Sequence, residues 1–558
     1  MIEKRTTSRA KRILIFALAL VLSCAVFSSC GEYKEIVDDI EIKDTPRPTM
    51  EPIATIEPDY GAPKTGGTVT VGVSATEERH PLFTDSEEIK YCMSLVFEGL
   101  VRYDNSGNIE TCLASAWETE DNMCYTFELR RDVKWHDGSD LVADDVVKSL
   151  DLLKNGGGVY SVNISGVKKY FAISPSELYI ELETPDRYFP ERLYFPIVKE
   201  VGENKELVGT GPYKYLSGNS ASVTYTLNND YWGRIPLYEN VKLNFYETER
   251  EKYISDNDIL FFKGKTVAAY ATREGYTSYR YEGRSFAGLV PNLVESYSEY
   301  DYYTGEFLYK DINVASTAAG RKALYYCINR EKLISSVLSG NGKVADWPVY
   351  SGFKPAFDNG LTYTQNREKA NELFKLAGLH YSSSERKWYL NEEKTHPCKV
   401  TMLVLENNAE LAAIAQSLKE DFESAGLEVM IMYMSVEKLA RYLTLRTYTF
   451  LLLTFEEGDC SQLKSIFSKD GEYNFNNYYN ERLETLMNAV EISMSDSEAE
   501  HYAAIVEDVL DEELPMLGLY TQSEAMMISH RIRGYEKGIY GTMNPFYSMA
   551  EYWSEKYT

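Results

Sequence analysis

The chain has 558 residues, enough for two or three domains, and its 85 acidic against 58 basic residues leave a formal charge of −27. That excess argues against nucleic acid and anionic lipid head groups as partners, and the acids are read as a solvated surface. The 8 cysteines are too few for a disulfide framework at this length, and none forms a Cys-x-x-Cys pair or a spacing typical of structural zinc.

The first thirty residues read as a secretory signal (1–29), with a basic start at Lys4, Arg5, Arg9, Lys11 and Arg12 and an apolar run from Ile13 to Phe27. That run is shorter than the about 20 apolar residues a crossing helix needs. Phe27-Ser28-Ser29-Cys30-Gly31 looks like the lipobox at which a bacterial lipoprotein is cleaved and acylated, so Cys30 is the expected lipidation site and mature N-terminus. Val21-Leu22-Ser23-Cys24 is a competing site, but Cys24 lies inside the apolar run whereas polar sequence follows Cys30. The alternatives are an ordinary signal peptide with an incidental cysteine and an uncleaved signal anchor. Residues 30–63 carry many acids and several prolines with little apolar periodicity, and are expected to form a disordered acidic tether. No second hydrophobic stretch approaches membrane length. The chain is therefore expected outside the cytoplasm, held at the outer face of the cytoplasmic membrane by a lipid anchor.

Beyond the tether, Thr68 to Val73 follows a Gly-Gly turn and has the β-branched residues of a strand. Alternating runs at Tyr125 to Leu129, Leu178 to Leu182, Val223 to Leu227 and Val241 to Tyr246 predict further strands. Between the first two of these, Asp144 to Leu153 predicts a helix with Val146, Val147, Leu150 and Leu153 on one face. Two more helices begin with the same four letters, at Asn329 and Asn366, where each Asn is an available N-cap; Gly340 and Gly378 sit at the expected stops. Cys112 and Cys124 are left open between a bridge and free buried thiols.

Residues 399–455 alternate strand (Lys399 to Leu405), helix (Ala409 to Ser424), strand (Leu427 to Tyr433), helix (Val436 to Leu445) and strand (Tyr448 to Thr454). Such alternation implies a parallel sheet with crossover helices, and ligands of open α/β sheets bind beyond the carboxyl ends of the strands. Glu406, Asn407, Phe455, Glu456, Glu457 and Asp459 then fall at a candidate cleft edge.

A scan for catalysis finds no His-Glu-x-x-His, no Gly-x-Ser-x-Gly elbow and no phosphate-cradling Gly-x4-Gly-Lys-Ser/Thr. The 6 histidines are scattered and suggest no metal site, and no cofactor is expected. Tyrosine is abundant, with 45 copies; Tyr276, Tyr279 and Tyr281, or Tyr300, Tyr302 and Tyr303, either line a cleft or alternate along strands.

Several blocks, in order, resemble the extracellular solute-binding proteins of family 5, the oligopeptide-, dipeptide- and nickel-binding proteins of ABC importers. They are Leu113-Ala114-Ser115-Ala116-Trp117, Tyr125 to Arg131, Val133-Lys134-Trp135-His136-Asp137-Gly138, Ala143 to Leu150, Gly209-Thr210-Gly211-Pro212-Tyr213, Arg321 to Leu324 with Ile328 to Lys332, Ala370 to Leu379, Asn477 to Asn480 and Glu513 to Met516. The resemblance implies an α/β, periplasmic-binding-protein-like fold (class II, family 5 type) with two main lobes, a smaller extra domain and a two-segment hinge. Lobe I would combine 64–101, 208–305 and 520–558, the smaller domain II would hold 102–207, and lobe III would hold 306–519.

The implied activity is binding without catalysis: a monomer captures a small solute, foremost a peptide, and delivers it to an importer's permease and ATPase. Expected contacts are Phe83, Thr84 and Asp85 after the first strand, Tyr350 after Trp347-Pro348, and Phe455, Glu457 and Asp459. The chain departs from the family pattern at two places. Val142 stands where Thr or Asn usually caps the Ala-Asp-Asp-Val helix. At 455–460, Phe455 replaces a usual Trp and the closing Pro is missing, so the acid that would pair with a peptide amine is either Glu457 or Asp459. A binder of oligosaccharide or of a metal complex, an extracellular enzyme such as a glycosidase, and a sensory receptor remain as alternatives.

Overall fold

The computed structural model describes residues 65–104, 108–301, 306–349, 355, 357, 363–456, 460–471, 473–533, 535 and 554–555. Strand β1 (Thr68–Ser74) forms as its β-branched residues require, with Val69, Val71 and Val73 fully buried. A loop then leads to helix α1 (Glu87–Met93), whose N-cap Ser86 accepts the Ile89 N–H.

Strands β2 (Ala114–Glu118), β3 (Cys124–Leu129), β4 (Val167–Ser174) and β5 (Glu177–Leu182) build a separate antiparallel sheet in the order β2-β3-β5-β4. Tyr125, Phe127 and Leu129 of β3 and Leu178, Ile180 and Leu182 of β5 are buried, and α2 (Ala143–Gly156) buries Val146, Leu150 and Leu153 against this sheet. Its N-cap Val142 offers no capping side chain; instead its own N–H donates to Asp145 Oδ2 at 3.3 Å, and that oxygen also accepts Trp135 Nε1–H at 3.0 Å. Cys112 and Cys124 are free thiols.

The main sheet takes the rest: β6 (Tyr213–Gly218), β7 (Ser222–Leu227), β8 (Asn240–Tyr246), β9 (Ile259–Lys263), β10 (Tyr276–Pro291), β11 (Gly342–Lys343), β12 (Lys399–Leu405), β13 (Glu428–Met434), β14 (Phe450–Glu456) and β15 (Leu517–Ser529). With β1 they form an 11-stranded sheet in the order β6-β7-β8-β1-β9-β15-β10-β14-β12-β13, and β11 adds to β15. Helices α3 (Arg330–Leu338) and α4 (Arg367–Leu376) start as expected: Asn329 accepts the Lys332 N–H at 2.9 Å and Asn366 the Lys369 N–H at 3.0 Å. Gly340 and Gly378 follow them at φ +79° and +85°, the left-handed region a helix stop favours.

The expected alternation over 399–455 is present, with α5 (Ala409–Ser424) and α6 (Val436–Leu445) crossing between strands; β12 is parallel to both β13 and β14. Its residues Val400 to Leu405 are buried on both faces, as a central parallel strand demands. Two further helices, α7 (Glu481–Ile492) and α8 (Asp496–Glu513), pack against each other before the chain enters β15.

Two large cores flank the middle of this sheet. One holds β1, β3, β5 and α2; the other holds α3, α5, β12, β14, α7 and α8. Strands β10 and β15 belong to both. On β10, Tyr281 lies in the first core and Phe286 in the second; on β15, Leu517, Leu519 and Tyr520 lie in the second, Met526 and Ile528 in the first. The two strands pair with each other on both sides of this boundary, and their register slips between Glu282 and Phe286. At that slip β11 takes the place of β9 on the other side of β15, with Gly342 opposite Gln522 and Lys343 opposite Thr521.

The Gly209-Thr210-Gly211 segment runs against the α1 side of the first core. A Cβ at Gly209 would lie 1.8 Å from the Val96 carbonyl oxygen, so only glycine fits. His136 clamps the same segment: its Nδ1 accepts the Gly209 N–H at 3.3 Å and its Nε2 lies 3.0 Å from the Gly211 carbonyl, which assigns the ring proton to Nε2. Burial pulls the imidazole pKa down to about 4, consistent with a neutral ring held between two backbone groups.

Candidate functional site

The carboxyl ends of the parallel strands in the two half-sheets converge on the β10–β15 crossing from opposite directions. The last residue of β9, Lys263, pairs with Glu524, and the last residue of β14, Glu456, pairs with Ser285. Open α/β sheets bind ligands beyond such ends. Here both sets open onto the segment 282–286 and its partner 521–524, where the two cores meet.

The first turn of α5 brings Glu410 to this crossing, and its Oε1 accepts the Tyr520 hydroxyl at 2.9 Å and Gln522 Nε2–H at 2.6 Å. Burial raises the carboxyl's pKa against the pull of Tyr520, Lys263, Gln522 and Lys265. Nearby, Lys343 Nζ donates to both oxygens of Glu282 at 3.3 Å, Arg280 Nη1 donates to Asn341 Oδ1 at 3.1 Å, and the Tyr91 hydroxyl donates to Glu524 Oε2 at 3.3 Å. The floor thus interleaves carboxylates with ammonium and guanidinium groups. Such a surface can hydrogen-bond a ligand that itself carries both signs and a polar main chain.

The floor is braced at the end of β1. There the buried Lys252 ammonium donates to Ser74 Oγ at 2.9 Å, Glu88 Oε1 at 2.6 Å and Glu249 Oε1 at 3.0 Å. Burial opposes its charge, yet the two carboxylates outweigh burial and hold its pKa above the usual value. A second buried acid, Glu98, borders a cavity of about 60 Å³ together with Arg102 and Arg234. It accepts from Thr210, Tyr231 and Trp232, each at 2.9 Å, while burial raises its pKa. These donors tie the first core to the 209–232 strap.

Among the expected contacts, the Phe83 ring stacks on His80 at 4.4 Å and lies against Gly156 and Gly158 at the end of α2. Thr84 is fully buried and its hydroxyl accepts the Ser86 N–H at 3.2 Å; Asp85 is exposed. Phe455 pairs through its backbone with Phe286, at the crossing. Tyr350, Glu457, Asp459 and the lipidation candidate Cys30 lie outside the described residues. Glu406 and Asn407 are exposed at the end of β12. Sequence reasoning stopped there and missed Glu410, three residues farther on in the first turn of the crossover helix; Tyr520, Gln522 and Glu524 gave no local signal because they reach the crossing through strand pairing. Among the described residues, no group of three or more His, Cys, Asp or Glu is arranged to hold a metal ion, and no helix is long and apolar enough to cross a membrane.

Comparison with known proteins finds that residues 108–453 match the model of "bacterial extracellular solute-binding proteins, family 5 Middle". The nickel-binding protein NikA of Staphylococcus aureus is 23% identical over 464 residues, covering 79% of this chain and 87% of that protein. The oligopeptide-binding protein AppA of Bacillus subtilis is 23% identical over 529 residues, covering 89% and 93%. Among solved structures, the periplasmic murein tripeptide-binding protein MppA in its unliganded open form superposes with a TM-score of 0.70 at 17% identity, covering 89% of this chain and 99% of that one. At that identity the likeness establishes the fold, an α/β architecture of the periplasmic-binding-protein type.

Proposed function

Since the chain belongs to the extracellular solute-binding proteins of family 5, we propose that it is the lipid-anchored, extracytoplasmic binding component of an ABC importer and that it captures peptides by lobe closure. The observation that carries this reading is the passage of both β10 and β15 from one core to the other, with the carboxyl ends of both half-sheets opening onto that crossing. Two bodies joined in this way can swing about the crossing, and a solute that touches both stabilises the shut form by its differential affinity. The floor's mixed charges suit a zwitterionic peptide main chain. In this reading the lobes follow the segments 64–101 with 208–305 and 520–558, and 306–519, with 102–207 as the smaller domain, except that Phe286, Ala287, Leu289 and Val290 of β10 and Tyr520 of β15 pack in the core of 306–519. Phe455 flanks the ligand, and Glu457 or Asp459 meets its amine.

A second reading, capture of a metal complex, is favoured by the nickel-binding relative. Mass spectrometry of solute carried through native purification separates the two, together with thermal shift against a peptide mixture and against nickel with histidine. A cognate solute at a hundred times its dissociation constant adds about 2.7 kcal/mol. Stabilisation by the peptide mixture supports peptide capture; stabilisation by nickel with histidine alone overturns it. Within the peptide reading, Glu457→Gln or Asp459→Asn is expected to weaken peptide affinity at least about tenfold, the scale of a lost charge-assisted hydrogen bond. Unchanged affinity in both variants removes the amine anchor from this stretch. Cys30→Ser is expected to release the protein from the membrane fraction.

A further inference from the structure

The two cores touch at a place other than the β10–β15 crossing. The segment that follows β5 is fixed to the small sheet: Asp186 N–H donates to the Asn122 carbonyl at 2.7 Å, the Tyr125 hydroxyl donates to the Asp186 carbonyl at 2.7 Å, and Arg192 pairs with Asp186 at 2.7 Å. Yet its next residues reach the other body. Arg187 N–H donates to the Glu491 carbonyl at 2.9 Å in the last turn of α7, its Nη1 donates to the Ser493 carbonyl at 3.2 Å in the connection, and its Nη2 pairs with Asp496 at 2.5 Å at the start of α8. Tyr188, only 5% exposed, is counted in the α7–α8 core, whereas its neighbour Phe189 lies in the small-sheet core.

We propose that residues 186–189 and the turn 491–496 form a releasable latch that holds the two bodies together without ligand and so sets how much of the free protein is shut. This rests on the two bodies moving about β10 and β15. The latch is built to be marginal. Arg187 and Asp496 attract, but the same approach brings the Asp186 carboxylate within electrostatic reach of Glu491, with Lys464 (2.6 Å from Glu491) and Arg192 as the compensating cations. Burial raises the Glu491 carboxyl, and Asp186 raises it further, so docking works against that charge. A contact whose parts oppose one another can open at thermal energies, and apparent affinity scales with the fraction of competent protein.

The test uses the ligand-free mature chain. Asp496→Asn removes the ion pair at a side chain 60% exposed, so folding is preserved. Expected are a larger radius of gyration in solution scattering and at least about tenfold faster exchange of the Arg187 amide, whose acceptor lies across the contact. Asp496→Glu, which keeps the charge, is expected to leave both readouts near wild type. If scattering and exchange are unchanged in Asp496→Asn, or if Asp496→Glu behaves like Asp496→Asn, the latch is wrong. Neither measurement needs a solute. A failed latch alongside peptide stabilisation leaves the binding function standing, and an operating latch alongside no peptide stabilisation overturns only the peptide assignment.

Discussion

His136 is half-buried and Glu491 is buried, and acid moves these two ionisable side chains in opposite directions. The imidazole's pKa falls from 6.5 to about 4 because it is buried between the 209–211 carbonyl and amide groups, so its neutral form stabilises the fold above 6.5 and that contribution is lost as pH falls toward 4. The Glu491 carboxyl is raised from 4.5 to about 7, chiefly by burial and then by Asp186, so its contribution is fully present below 4.5 and is lost as pH rises through about 7. At about 1.4 kcal/mol per pKa unit, each effect is on the order of a few kcal/mol. Melting temperatures of wild type, His136→Gln and Glu491→Gln across this range check the signs. The wild-type advantage over Glu491→Gln should grow on acidification from 7 to 4.5. The advantage over His136→Gln should shrink between 6.5 and 4.

At the scale of single elements, the helices are where local sequence speaks most plainly. Asn366 caps α4 by accepting the Lys369 N–H, and Asn366→Ala is expected to cost about 1 kcal/mol, read as a lower urea midpoint at unchanged slope. The β12-α5-β13-α6-β14 run was legible nearly to the residue because its period and its continuous apolar strands are local properties. Val142 was legible as a missing cap but its substitute was not, since Asp145 serves both the Val142 N–H and the Trp135 indole. Strand β10 showed only alternating tyrosines in its first half; that its second half continues into another core depends on pairing with β14 and β15, more than 150 residues away in sequence. The candidate site shares that fate. Phe455 was legible as the edge of a cleft at the end of its strand, but Glu410, Tyr520 and Gln522 meet across 110 residues or more, and no window of sequence holds them together.

Across the whole molecule, the two cores are in contact at the crossing and at the 186–189 segment, the two places that would limit the proposed swing. A short bismaleimide bridge between Asn122→Cys and Met494→Cys, whose wild-type side chains meet at 3.8 Å, is expected to trap co-purified solute. Mass spectrometry after long dialysis should find the solute retained in the bridged protein and lost from the unbridged one. Loss from both would mean that solute leaves without the bodies parting there.

The register slip on β10 carries a mechanical meaning. Two neighbouring strands tied by hydrogen bonds behave as a leaf spring: stiff against sliding along their length, compliant in twist and in bending out of the sheet. Their register slips twice, between Glu282 and Phe286 and again between Ala287 and Gly288, so the ladder is interrupted over this short stretch and bending concentrates there. If the two bodies swing as proposed, a partner that reads the shape of this molecule would meet one of two signals, open or shut, instead of a continuum of poses.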